Sequence, residues 1–256
     1  MLDEVIISKA IIESYKEKLI RALDVDAAVA GAGPSGLICA YHLAKAGKKV
    51  AVFEKKLSIG GGMWGGGMLF NEIVIQESAK KILDDFSVRT RRYAKDYYLV
   101  DAVECISSLA YHAAHTGVII INGVSVEDVM VKNKKVCGLV INWSAVEIAN
   151  LHVDPLTIRA KVVVDSTGHP CEVVKVVQNK SGIKLRTKTG KMLGEKSMWA
   201  EVAENTVVSN TKEVCPGLYV CGMAANAVFG TPRMGPIFGG MLLSGRKLAQ
   251  MILKRT

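Results

Sequence analysis

No run of about 18 consecutive apolar residues occurs in the 256-residue chain, so no segment has the length a helix needs to cross a bilayer. The opening residues Met1-Leu2-Asp3-Glu4 carry neither the basic cluster nor the apolar stretch of a secretory signal, and a cytoplasmic protein is expected. Six cysteines are present (Cys39, Cys105, Cys137, Cys171, Cys215 and Cys221), but no two form a C-x-x-C pair. In a reducing compartment that spacing argues against a disulfide scaffold, and most of these thiols are expected in the core. The net charge of +9 could attract nucleic acid, yet the basic residues are scattered among acids. The densest basic run, Arg89 to Lys95, matches no nucleic-acid-binding motif. Neither a nucleic-acid nor a membrane partner is expected, and the excess charge suits phosphorylated small molecules or a solvated face.

Half of the residues are apolar and 22% are charged, which is enough to build a large core. A single dinucleotide-binding domain over residues 1–256 is expected, with a helical extension over about 1–24 and a β-rich lobe inserted within about 117–160. Its centre is the run Val25 to Ala30, which passes through Gly31-Ala32-Gly33-Pro34-Ser35-Gly36 into Leu37 to Ala44. A buried strand, a Gly-x-Gly-x-x-Gly turn and a helix in this order form a dinucleotide fingerprint. Gly31 allows the tight turn, Gly33 the approach of a pyrophosphate, and Gly36 the close packing of helix on strand. The helix N-terminus offers free N–H groups to the phosphates. A second strand follows and ends in Glu54, placed to accept from an adenosine ribose hydroxyl.

Ser58 to Met68 contains six glycines between positions 60 and 67, interleaved with Met63 and Trp64. Such a stretch is too apolar for a linker and reads as backbone pressed against a ligand. Residues 3–22 and 76–117 show helical periodicity. His112 and His115 lie one helical turn apart in the second region, without partners that would complete a site, and are read as structural. The runs 117–131 and 136–143 read as strands joined by a turn at Lys132 to Lys135. Ala160 to Asp165 is a further buried strand, running into Ser166-Thr167-Gly168-His169-Pro170. Residues 178–196 are polar and basic and read as a loop. A late strand from Gly217, a turn of small residues and a closing helix complete the chain.

His152, Asp154 and His169 are imidazole and carboxylate donors beside turn residues. By residue type the set suits Fe(II) or Zn(II), or else a capping aspartate with two structural histidines. Taken together, the fingerprint, Gly60 to Met68, Leu151-His152-Val153-Asp154-Pro155, Thr167-Gly168-His169 and Arg233-Met234-Gly235-Pro236-Ile237-Phe238-Gly239-Gly240-Met241 resemble the thiamine thiazole synthase family, and most closely its archaeal sulfide-dependent branch.

That resemblance implies an α/β fold of the glutathione-reductase-like FAD/NAD(P)-binding type, Rossmann-like and three-layered. It implies NAD as a consumed substrate: nicotinamide leaves, the ADP-ribose rearranges to a ketone, glycine condenses, and sulfur adds to close an ADP-thiazole carboxylate. Asp154 and His169 would be ligands to Fe(II), and Arg233 would bind the glycine carboxylate. Ser35, Glu54, Lys55, Gly62, Val126, His152 and Met223 would hold the dinucleotide. In the self-consuming branch a cysteine stands two residues before the Asp-Pro, where this chain has His152, and this implies free sulfide as the donor. A homo-oligomer, an octamer in the family, would place Asp154 in a neighbouring subunit's site. One departure concerns Pro170-Cys171, where the family continues Asp-Ala after the histidine, and Cys171 is therefore weighed as a ligand or sulfur source. The alternatives considered are a flavin-dependent oxidoreductase, a ribose-1,5-bisphosphate isomerase and a non-catalytic nucleotide sensor.

Overall fold

The run of small and β-branched residues that ends in the glycine fingerprint forms the central strand of the molecule. The structure, a computed structural model, describes residues 1–255. Helix α1 (Glu4–Ala22) leads into β1 (Asp24–Ala30), α2 (Pro34–Lys45) and β2 (Val50–Glu54). A 3-10 turn (Gly61–Gly65) is followed by β3 (Glu72–Ile75), α3 (Glu77–Asp85), β4 (Arg91–Ala94), β5 (Tyr97–Asp101) and α4 (Ala102–His115). Next come β6 (Ile119–Asn122), β7 (Val124–Lys132), β8 (Lys135–Trp143), α5 (Ser144–Ile148), β9 (Leu156–Asp165) and α6 (Glu172–Lys180). The chain closes with α7 (Ala200–Asn210), β10 (Lys212–Cys215), β11 (Leu218–Val220), α8 (Met223–Phe229) and α9 (Gly239–Leu253).

The main sheet has the order β10-β11-β9-β1-β2-β6. The five strands from β11 to β6 are parallel, and β10 is an antiparallel edge. Strand β1 pairs Ala28 with Ala51 of β2 on one side and with Val163 of β9 on the other. Its residues Ala28, Val29 and Ala30 are fully buried, as a parallel strand covered on both faces requires. One face carries α2, α4 and α9 over a core that includes Leu37, Ile38 and Leu248. The other is covered by the β7–β8 hairpin and helices α6 and α8, around Phe53, Leu139 and Val174. This is the three-layer dinucleotide-binding architecture. The β-rich segment 117–160 is hydrogen-bonded into the same sheet, β6 through β2 and β8 through β9.

The segment 76–117 differs from the sequence reading. It is not helical throughout, because β4 and β5 join β3 in a separate antiparallel sheet of order β3-β5-β4. All four residues of β4 are exposed, so this strand has no apolar alternation to betray it. Helix α1 is capped by Asp3, whose Oδ1 accepts from the N–H groups of Val5 and Ile6 at 2.9 Å. Its apolar residues Val5, Ile6, Ile11 and Ile12 nevertheless stay more than 60% exposed within the chain. Among the described residues no helix is long and apolar enough to cross a membrane.

Candidate functional site

The carboxyl ends of β1, β2 and β9 open onto a cavity of about 700 Å³, where a doubly wound sheet places its ligand. At its floor Gly31 adopts φ +93°, and a Cβ there would stand 2.6 Å from the Ser166 carbonyl oxygen. Gly36 is packed as closely: a Cβ would lie 2.3 Å from the Gly31 carbonyl oxygen, so the third glycine sets the distance between helix and strand. Gly33 caps α2 with no side-chain bond, which leaves the first N–H groups of the helix available. The Ser35 hydroxyl beside them is buried and has no partner among the described residues. An orphaned hydroxyl at a helix N-terminus in a cavity wall is a donor set waiting for an anion.

Glu54 is 7% exposed, and both of its oxygens are engaged, Oε2 by the N–H of Ala32 and Oε1 by that of Lys56, each at 2.9 Å. Each carboxylate oxygen keeps a second lone pair, so the group can still accept from a ribose hydroxyl. Beside it, Lys55 Nζ donates to Glu172 Oε1 at 2.6 Å, linking the end of β2 to the start of α6 at the cavity wall.

His169 lies on the turn between β9 and α6, which is anchored by buried Asp165. Its Oδ1 accepts from Thr167 Oγ1 at 2.7 Å and from the Thr167 N–H at 3.0 Å, and its Oδ2 accepts from the Val174 N–H at 2.9 Å. Thr167 Oγ1 in turn accepts from the Glu172 N–H at 2.8 Å. Two orphan donors of α6 are thereby satisfied by the turn that carries the histidine. Complete burial raises the Asp165 carboxyl above its ordinary range despite these bonds. His169 Nδ1 donates to both oxygens of Glu195, at 2.8 and 2.9 Å.

The cavity gathers Gly31, Gly33, Ser35, Glu54, Lys55, Gly62, Val126, His169, Met223 and Arg233. Gly36 supports it from behind. His152 and Asp154 are not brought there; they sit on the exposed stretch between α5 and β9. Among the described residues no group of three His, Cys, Asp or Glu side chains is close enough to hold a metal ion. Within one chain His169, with its Nδ1 held by a carboxylate, is the imidazole available to a metal in the cavity. That arrangement is the usual companion of a metal-bound histidine.

Cys171 proves to be a core residue. It is fully buried, its Sγ faces the Ala224 carbonyl at 3.5 Å, and burial pushes its thiol well up. It does not line the cavity. His112 is structural, its Nδ1 within 2.9 Å of the Ser108 carbonyl and its ring against Phe86. Sequence reasoning missed Glu172, Glu195 and Ser125. Ser125 lines the cavity with a buried hydroxyl that has no partner among the described residues. Glu195 meets His169 across 26 positions of chain, a distance at which no local pattern signals the pairing.

Comparison with known proteins gives a match to the model described as the Thi4 family over residues 8–238. A thiamine thiazole synthase of Desulfosudis oleivorans is 61% identical over 254 residues, 99% of this chain and 98% of that protein. One from Methanothermobacter thermautotrophicus is 56% identical with the same coverage. The crystal structure of Thermovibrio ammonificans THI4 superposes with a TM-score of 0.98 at 54% identity, covering 100% of this chain and 99% of that one.

Proposed function

The chain belongs to the Thi4 family, and on that premise we propose that it converts NAD, glycine and sulfide into an ADP-thiazole carboxylate, the precursor of the thiazole half of thiamine. Thiamine thiazole synthase activity in general is supported by relatives above 50% identity over nearly the whole chain. The finer reading, that NAD and glycine react at one iron-binding site, is carried by one observation. A single cavity joins the dinucleotide fingerprint and Glu54 to His169 and Arg233.

In this reading the N-terminus of α2 and the Ser35 hydroxyl take the pyrophosphate, and Glu54 accepts from the adenosine ribose. Lys55, Gly62, Val126 and Met223 line the rest of the dinucleotide's path. The planar guanidinium of Arg233 holds the glycine carboxylate through two parallel N–H donors. His169, together with Asp154 of a neighbouring copy, would hold Fe(II). The ion would supply a Lewis acid that polarises the substrate and gathers sulfide.

Asp154 needs that neighbour because it lies outside its own chain's cavity. The apolar residues around it, Ile148 at 85%, Leu151 at 61% and Val153 at 46% exposure, suit burial against a second copy. The exposed apolar side chains of α1 add to the surface a homo-octamer would bury. His152 in place of a donor cysteine, together with the burial of Cys171, supports free sulfide as the sulfur source. Six unpaired cysteines among the described residues suit a reducing, cytoplasmic setting.

The test is anaerobic incubation of the purified protein with NAD, glycine, sulfide and Fe(II), followed by mass spectrometry of released small molecules. More than one equivalent of ADP-thiazole carboxylate per chain is expected. Intact NAD with no thiazole would overturn the proposal, and a yellow protein carrying flavin would favour the oxidoreductase alternative.

A further inference from the structure

We propose that Glu195 is a positioning residue for His169, setting the imidazole so that Nε2 is the nitrogen offered to a metal ion; the proposal rests on the iron reading above. The Glu195 carboxylate accepts from His169 Nδ1 with both oxygens, and its side chain is 19% exposed against 44% for the histidine. A ring whose Nδ1–H is held by a carboxylate has its tautomer and its orientation fixed, and its other nitrogen becomes a better ligand.

The backbone around Glu195 distinguishes this contact from an ordinary surface ion pair. Residues 193–199 have almost no regular structure, yet they are tied along the segment that carries Arg233. Leu193 N–H donates to the Val228 carbonyl, Lys196 N–H to that of Thr231, Arg233 N–H to that of Lys196, and Trp199 N–H to that of Arg233, each at 3.1 Å. Gly230 has φ +71°, and a Cβ there would lie 2.8 Å from Leu193 Cβ, so the two segments are in direct contact. On the opposite side, the His169 turn is clamped by Asp165 and Thr167. The carboxylate and the imidazole thus meet between two stiffly held pieces of backbone. Through the same strap, Glu195 ties the geometry of His169 to that of Arg233.

Full-length protein labelled with 15N-histidine is compared as wild type, Glu195→Ala, Glu195→Gln and His169→Ala, the last assigning the His169 signal. In the neutral ring, wild-type His169 is expected to carry its proton on Nδ1. In Glu195→Ala it should move toward the Nε2–H form, and in Glu195→Gln, whose amide oxygen still accepts, it should stay. Anaerobic titration with Co(II), followed by visible absorption, should show affinity falling roughly 10- to 100-fold in Glu195→Ala and less in Glu195→Gln. Unchanged tautomer or unchanged Co(II) affinity in a folded Glu195→Ala overturns the proposal. If that variant fails to fold, Glu195→Gln and Glu195→Asp decide it: a Co(II) affinity lower in Glu195→Gln, which keeps the side-chain length, than in Glu195→Asp, which draws the carboxylate back by one methylene, overturns it. Equal Co(II) binding by wild type and His169→Ala removes the iron reading itself, an outcome distinct from a failure at Glu195.

Discussion

The Glu54 carboxylate accepts the backbone N–H of Ala32 at 2.9 Å, so the last residue of β2 braces the glycine turn that ends β1. The side chain proposed to meet the ribose therefore also shapes the loop proposed to receive the pyrophosphate. In Glu54→Gln one of the two N–H groups now bonded by the carboxylate would face an amide N–H₂ instead of an acceptor. Leaving a buried donor unsatisfied costs about 1–3 kcal/mol of stability, and replacing the charged acceptor for the ribose hydroxyl by a neutral amide should lower NAD affinity about tenfold. Thermal melting and calorimetric titration with NAD check this; NAD affinity equal to wild type would remove Glu54 from the binding site.

Arg233 is expected to act on glycine alone. Arg233→Lys keeps the charge but loses the paired donors, so KM for glycine should rise about tenfold while KM for NAD stays near wild type. Steady-state kinetics with each substrate varied in turn separates the two. A rise confined to NAD would place the guanidinium on the dinucleotide.

Cys171→Ser should leave repeated turnover intact. The thiol is buried against the Ala224 carbonyl, and a hydroxyl can donate to the same oxygen. Product counted per chain by mass spectrometry decides the matter, and turnover that stops only in this variant would make Cys171 a sulfur donor.

Glu204 gives a pH-dependent test of stability. Its Oε2 accepts from the N–H of Gly240, at the first turn of α9, and from Gln76, while Oε1 is buried without a partner among the described residues. Burial raises its carboxyl above the ordinary value, so the fold favours the neutral form. The resulting stabilisation is complete below the ordinary carboxylate range and is lost as pH rises through the folded-state value. Glu204→Gln keeps an acceptor oxygen and removes the charge. It should melt with wild type near pH 4, about the ordinary glutamate value, and above it at neutral pH. Melting curves across that interval check it, and a variant that is less stable at neutral pH would show that the ionised form is the favoured one.

The β1–α2–β2 unit was legible because both of its signals are local: apolar runs of strand length and glycines at fixed spacing. Gly31, Gly33, Glu54 and His169 were legible for the same reason, since each follows on such a run or ends it; Lys55, Val126, Met223 and Arg233 were marked only by the family resemblance, and Ser125 and Glu172 by no local signal. The sheet of β3, β4 and β5 was not legible. Its strands are four or five residues long, and Arg91-Arg92-Tyr93-Ala94 is exposed throughout, so neither length nor alternation marks it. Glu195 was hidden differently, because its partner is distant in sequence and its own neighbourhood looks like an ordinary charged loop. His152 and Asp154 were picked out by residue type, and that Asp154 lies outside its own chain's cavity was implied by the family resemblance rather than by any local pattern.

The strap at 193–199 is held by main-chain donors and acceptors, and most of its side chains do not take part in holding it. Its register therefore does not depend on which amino acids occupy most of it. Saturation mutagenesis across this segment should find broad tolerance at Lys196 and Ser197, sharp intolerance at Glu195, and proline rejected at Lys196 and Trp199, whose N–H groups hold the strap in place.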